Sequence, residues 1–151
     1  MNIFEAIKKD HEKQRELMSQ LVETHGDTAK RDRIFEHVKL LLQAHEDAEE
    51  RSLFTHLINQ DRAQDKARHS IAEHKEIDDM IKYLEETDYS SAGWLVMAKK
   101  LKDKVEHHLD EEENEVFAQA GKVLSDDQKE SLAVDYEKEM KTAMMNHQIE
   151  A

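Results

Sequence analysis

His45-Glu46-Asp47-Ala48-Glu49-Glu50-Arg51-Ser52-Leu53-Phe54 and His108-Leu109-Asp110-Glu111-Glu112-Glu113-Asn114-Glu115-Val116-Phe117 decide how this chain is read. Each carries His-x-x-x-Glu-Glu, then an apolar residue and Phe, and the two stretches lie 63 positions apart. The same shift places His11 on His74, Val38 on Leu101 and Leu42 on Val105. His11 and His45 are separated by 34 positions, and so are His74 and His108. A repeat that preserves histidines and carboxylates as well as apolar positions predicts two helical hairpins related by a pseudo-twofold and meeting at a shared site.

Working outward, apolar residues recur at spacings of three and four, which is the helical period and not the strand period of two. Four long amphipathic segments are predicted, over about 2–25, 29–59, 63–87 and 92–120, separated by weak breakers at Gly26-Asp27-Thr28, 59–62 and Asp88-Tyr89-Ser90-Ser91. Helices of that length are roughly 33 to 45 Å long. Short connections make neighbours antiparallel. The predicted fold is therefore all-α: an up-down-up-down four-helix bundle over residues 1–120, with a short additional C-terminal helix and tail over 121–151 packed on or near it. Ser125-Asp126-Asp127-Gln128 resembles a capping box that opens this last helix, which carries Leu132, Tyr136 and Met140 and is expected over about 126–146. Glu150 and Ala151 are expected to fray.

Composition agrees. The 151 residues include no Pro, no Cys, three Gly and ten His, and 38% are charged. Without Cys there is no disulfide framework, thiolate metal site or cysteine chemistry. Scarce Gly and absent Pro argue against a turn-rich β fold. The net charge of −13 argues against nucleic acid or an anionic membrane as partner. The chain contains no apolar run long enough to span a bilayer, and its start does not read as a signal peptide. A cytoplasmic location is the expectation.

Six histidines, His25, His37, His56, His69, His107 and His147, are expected to be solvated or simply hydrogen-bonded. The other four, His11, His45, His74 and His108, each replace an apolar residue on a core-facing stripe, and Glu49 and Glu112 continue two of those stripes. Counting along antiparallel helices puts all six in one layer near one end of the bundle. Carboxylates buried there without partners would be expensive. Metal supplies the compensation. Spacing i, i+4 lets each His-x-x-x-Glu give an imidazole to one ion and a carboxylate that bridges to the other. Six mixed N/O ligands exceed a tetrahedral zinc site and suit a pair of octahedral iron or manganese ions. His107 lies about 100° around its helix from His108, and His69 about 140° from His74, so neither should ligate. The chain has no Glu-x-x-His, which the ferritin-like di-iron site requires.

With these residues in view, the chain resembles the hemerythrin-like family, in particular its prokaryotic cation-binding HHE domains. The resemblance rests on Asp10-His11, His45-x-x-x-Glu49-Glu50 before Leu53-Phe54, Glu73-His74, and His108-x-x-x-Glu112-Glu113 before Val116-Phe117. It implies a non-haem centre of two iron ions, oxo- or hydroxo-bridged, ahead of manganese or zinc. Its implied ligands are His11, His45, Glu49, His74, His108 and Glu112, with both glutamates bridging. The oxygen carriers of the family use five histidines, two of them one turn apart on the third helix. Here the position one turn before His74 is Ser70, and the position one turn after is Asp78. That departure leaves a water, a different ligand or an open position on the iron nearest Ser70 and weakens simple reversible O₂ carriage; an open position would admit peroxide or NO.

Asp78, Asp10 and Glu46 are weak substitute ligands. Gln14 is a candidate hydrogen-bond partner for a ligand. Met18, Met80, Met97 and Trp94 read as core filling, and Asp110 to Glu115 as a solvated face around one seam glutamate.

The leading expectation is a di-iron protein that binds or senses O₂ or a related small ligand, NO or peroxide. Alternatives are a di-iron enzyme that removes peroxide or NO with the help of an electron donor, and an iron-responsive regulatory or storage module. A monomer or homodimer is expected.

Overall fold

The computed structural model describes residues 1–150, with side chains as far as Gln148. The last helix, expected to end near 146, runs on to Glu150, where fraying was expected; Ala151 lies outside this description. The elements are α1 (Ile3–Val22), α2 (Ala29–Arg51), α3 (Leu53–Leu57), α4 (Gln64–Glu86), α5 (Ala92–Glu111), a π-helical turn (Glu112–Val116), α6 (Phe117–Val123) and α7 (Asp126–Glu150). Four rods form the bundle: α1, α2 continued by α3, α4, and α5 continued through the π turn into α6. No helix among the described residues is long and apolar enough to cross a membrane.

Side-chain caps set the helix starts, as short polar residues do by accepting from the orphan amides of the first turn. Asn2 accepts from the Glu5 amide, Thr28 from Arg31 and Ser91 from Gly93. The capping box at Ser125 is formed in both directions, Gln128 N–H to Ser125 Oγ at 3.1 Å and Ser125 N–H to Gln128 Oε1 at 2.9 Å. Gly26 sits at φ 57°, the left-handed geometry that lets the chain leave α1 and turn into α2.

Three further boundaries differ from the pattern in the sequence. The first helix ends at Val22 rather than near His25, because Thr24 turns its hydroxyl onto the Leu21 carbonyl at 2.6 Å. The second predicted helix is broken at Ser52, whose φ of −110° and ψ of −80° are non-helical. Ser52 Oγ donates to the Ala48 carbonyl at 2.6 Å, a back-bond that bends helices. The fourth runs through Gly121 to Val123 instead of stopping at Ala120. A helical glycine costs only about 1 kcal/mol, so it does not end a helix unaided; the extended Leu124 does.

The core falls into two apolar blocks. One holds Ile3, Ile7, Leu53, Phe54, Leu57, Ala67, Val116 and Phe117, and the other Met18, Leu21, Phe35, Val38, Ile77, Ile81, Trp94, Leu101 and Val105. The four seam histidines and two seam glutamates fall, in sequence, between the blocks on every rod. Met18 and Trp94 are core residues, with Met80 and Met97 packed at the margin, as the pattern implied.

α7 lies along α2 and α1 on the outside of the bundle, and Leu132, Ala133 and Tyr136 join the first apolar block. His147 Nε2 to Asp47 Oδ2, at 2.7 Å, ties its far end to α2.

At the other end of the bundle, Arg31 is a staple that pattern reading missed. It is 2% exposed. Its guanidinium donates to the Thr24 carbonyl and hydroxyl and to the Tyr89 carbonyl, and stacks 4.5 Å over the Trp94 ring. It therefore joins the α1–α2 loop to the α4–α5 loop. Arg31→Ala would leave two carbonyls without their donor, each worth about 1–3 kcal/mol when buried. We expect unfolding free energy from urea titration to fall by about 2–4 kcal/mol, with metal content unchanged.

Candidate metal centre

Each rod delivers its polar residues to the same level. His11 comes from the middle of α1, His45 and Glu49 from the last two turns of α2, and His74 from α4. His108 comes from the end of α5 and Glu112 from the first position of the π turn. All six are buried, none more than 3% exposed. The other six histidines stay out of this layer: His25, His37, His56, His69 and His107 are exposed and His147 is half-buried.

The six side chains form two groups that share both glutamates. His11, His45, Glu49 and Glu112 make one, and His74, His108, Glu49 and Glu112 the other, with candidate donor atoms within 4.8 Å of one another. Glu112 reaches His11 Nε2 with Oε1 and His108 Nε2 with Oε2, each at 3.3 Å. Glu49 Oε1 stands 3.1 Å from His45 Nε2 and 3.3 Å from His74 Nε2. Each carboxylate thus spans from one histidine pair to the other. Two cations, one per group, fit this donor set.

The rings are oriented from behind. His11 Nδ1 pairs with Glu113 Oε2 at 2.7 Å, His74 Nδ1 with Glu50 Oε2 at 2.9 Å and His108 Nδ1 with Glu73 Oε1 at 2.9 Å. His45 Nδ1 pairs with the Tyr136 hydroxyl at 2.5 Å, and that hydroxyl donates to Asp10 Oδ2 at 2.5 Å. All four Nε2 atoms, by contrast, are buried without a hydrogen-bond partner, as are both Glu49 oxygens and Glu112 Oε1. An imidazole with one nitrogen anchored and the other bare and aimed at a carboxylate is arranged to ligate, since the outer hydrogen bond fixes both the tautomer and the ring plane. Buried polar atoms left unpaired for any other purpose would be costly.

Electrostatics follow from this packing. For His11 and His74, burial opposes the imidazolium, but the adjacent carboxylates of Glu112 and Glu113, or of Glu49 and Glu50, outweigh it and raise the pKa to about 9. His108, against Glu112 and Glu73, rises to about 10. Burial disfavours the Glu112 carboxylate, yet its contacts with Glu49, His108 and His11 hold it well below the usual range. Glu73 is lowered to about 2: burial opposes this, but His108 and Lys104 prevail. Burial, with Asp10 and Glu49 nearby, pushes the Tyr136 hydroxyl well above 10, so it stays a donor.

The partner network obeys the 63-residue repeat. Glu113 behind His11 is the repeat mate of Glu50 behind His74, so each half anchors a histidine of the other. Glu73 behind His108 is the mate of Asp10. Aspartate is one carbon shorter, and Tyr136 from α7 fills the interval between Asp10 and His45. Pattern reading missed these roles. The doubled Glu49-Glu50 and Glu112-Glu113, and the acid before each of His11 and His74, were the signal for the carboxylates, whereas nothing local marked Tyr136. The run Asp110 to Glu115 is accordingly more than a solvated face: Glu113 also holds Arg15 at 2.9 Å.

The weaker candidates have other partners or none. The buried Gln14 Nε2 lacks a hydrogen-bond partner, and the His11 nitrogen goes to Glu113 instead. Asp10 is taken by Tyr136, and Glu46 lies with Asp78, whose proximity together with burial pushes Glu46 well above the usual carboxylate range. None of the three belongs to either donor group among the described residues. Ser70 is buried and donates to Glu112 Oε2 at 3.0 Å.

Comparison with known proteins agrees with this geometry. No curated protein matches significantly. A crystal structure of a hemerythrin HHE cation binding domain-containing protein, the Rv2633c homolog from Mycobacterium kansasii, superposes with a TM-score of 0.87 at 22% identity, covering 97% of this chain and 89% of that one. At that identity the likeness establishes the fold. The hemerythrin HHE cation binding domain model matches residues 2–120, which takes in all but the last three residues of the four rods and all six buried ligand candidates. The chain belongs to the hemerythrin HHE cation-binding domain family.

Proposed function

We propose that the chain holds two iron ions through His11, His45, Glu49, His74, His108 and Glu112, with both glutamates bridging, and uses them to bind or sense O₂ or a related small ligand. The observation that carries this reading is the inward set of four bare Nε2 atoms around two shared carboxylates. The N/O donor set has no thiolate and more ligands than tetrahedral zinc takes, which favours iron. Bound iron would supply electrons and an exchangeable coordination position. The protein's part is to orient the ligands through Glu113, Tyr136, Glu50 and Glu73 and to exclude water. The burial of all six residues admits only a small ligand, of the size of O₂, NO or peroxide. Ser70 stands one turn before His74 and spends its hydroxyl on Glu112, so α4 offers one histidine to the centre. That observation favours a second reading, turnover of peroxide or NO with an electron donor.

Anaerobically reconstituted protein is expected to carry two irons per chain by elemental analysis. A visible band that appears with O₂ and disappears on its removal supports the binding reading; sustained consumption of peroxide or NO supports the enzyme. His45→Ala or Glu112→Gln should bring iron below two per chain. Full retention in both would overturn the ligand assignment.

Tyr136→Phe keeps the ring in its apolar packing and removes only the hydroxyl between His45 and Asp10. Loss of such an outer hydrogen bond typically weakens a metal site about 10–100-fold. A competition titration against a chelator should show that loss, and an unchanged affinity would deny Tyr136 an orienting role.

The histidine shifts also set a pH signature. In protein stripped of metal, imidazoles whose folded pKa is about 9 to 10 stabilise the fold fully below their unfolded value of about 6.5. That contribution is lost as pH rises through 9 to 10. The depressed Glu112 works oppositely, contributing above its unfolded value and losing it as acid protonates the folded carboxylate. Urea midpoints of stripped protein should therefore fall between pH 6.5 and 9.5. In the loaded protein the imidazoles are already deprotonated, and this decline should vanish.

A further inference from the structure

The motif His-x-x-x-Glu occurs twice more, as His69-x-x-x-Glu73 on α4 and His107-x-x-x-Glu111 on α5. Neither histidine belongs to the buried centre. The two pairs face each other where α4 packs on α5. His69 Nε2 stands 3.0 Å from Glu111 Oε1 and 3.7 Å from Glu73 Oε1, and candidate donor atoms of the three residues lie within 4.8 Å of one another. His107 Nε2 is 3.4 Å from the other Glu111 oxygen. Side-chain exposure falls from 55% at His69 to 19% at Glu111 and 5% at Glu73, so the group runs from solvent inward.

The repeat shows that this group is particular to one face of the bundle. The mates of His69, Glu73 and Glu111 are Ala6, Asp10 and Ala48. On that side the two alanines form part of the apolar block on which α7 docks, and Asp10 receives Tyr136. The same three positions are thus a helix-docking floor on one face and a His/Glu/Glu group on the other.

The geometry points to a second, outer metal site at His69, Glu73 and Glu111, which takes a divalent first-row transition cation such as Zn²⁺. One imidazole and two carboxylates are the donor types such ions prefer, and solvent completes the coordination on the exposed side. Lys104 holds Glu73 Oε2 at 3.1 Å, which leaves Oε1 toward His69. That oxygen also receives His108 Nδ1 at 2.9 Å, so the outer group is one residue removed from the buried centre.

Equilibrium dialysis of the full chain against Zn²⁺, read by elemental analysis, tests this. We expect three equivalents, two tight and one weaker. His69→Ala and Glu111→Gln, whose side chains pair with none of the six buried residues, should each raise the dissociation constant of the third at least ten-fold and leave the first two unchanged. Saturation of the wild-type chain at two equivalents overturns the outer site, as does a third equivalent that survives both substitutions. Glu112→Gln separates the two centres. If the wild type instead binds a single Zn²⁺ that Glu112→Gln keeps and His69→Ala loses, the buried centre falls while the outer one stands.

Discussion

An ionisable side chain taken out of water without a partner costs several kcal/mol, and this bundle takes four imidazoles and two carboxylates out of water in a single layer. Everything around that layer answers the cost. Opposite charges are interleaved, so that each carboxylate meets two imidazoles. Each outer imidazole nitrogen is given an acceptor, three of them carboxylates. Those acceptors are in turn tied outward, Glu113 to Arg15 and Glu73 to Lys104. Among the six layer residues, the atoms left unpaired are those that face one another across the layer. The apolar blocks above and below close the site to water and hold the rods in register.

Two-fold economy explains how 119 matched residues build so many contacts. Each hairpin supplies three residues of one donor group and one of the other, and the carboxylate behind one of the other hairpin's histidines. The two halves are not equal, however. Three histidines lean on carboxylates and one on a phenol, which is a weaker acceptor, so the imidazole of His45 is the least electron-rich of the four. Ser70 breaks the symmetry a second time, since its repeat mate Ile7 is core. The two metal positions therefore differ in what holds their ligands and in what stands beside them.

Much of this was legible in the sequence because it depends on periodicity. Helical spacing fixed which face of each segment is inward, and the 34-residue separations fixed the layer. What could not be read depends on local geometry or on contacts remote in sequence. Ser52 and Glu115 are repeat mates. At the first the helix breaks and at the second it loosens into a π turn, within a turn of Glu49 and Glu112. No Pro or Gly marks either place. π turns of this kind recur at functional sites, and here the distortion begins at Glu112 itself. Tyr136 is 91 residues from His45 and 126 from Asp10, and its helix was visible only as a segment that could lie against the bundle. Arg31 reads as an ordinary charged residue in a first helical turn, yet it is buried against two loops that only the tertiary fold brings together.

The doubled motif shows what distinguishes one use of a pattern from another. His107-x-x-x-Glu111 and His108-x-x-x-Glu112 overlap on one helix and differ by a single residue, which on a helix is a rotation of about 100°. The second pair sits on the seam, buried, where each imidazole needs an anchor behind it and a charge before it. The first sits at the margin against α4, where solvent can supply whatever the side chains do not. Spacing alone makes the two pairs equivalent. Register against the apolar stripe separates them, and it also decides which kind of ligand field each can offer: a closed one that must be satisfied wholly by protein and cation, or an open one that shares its cation with water.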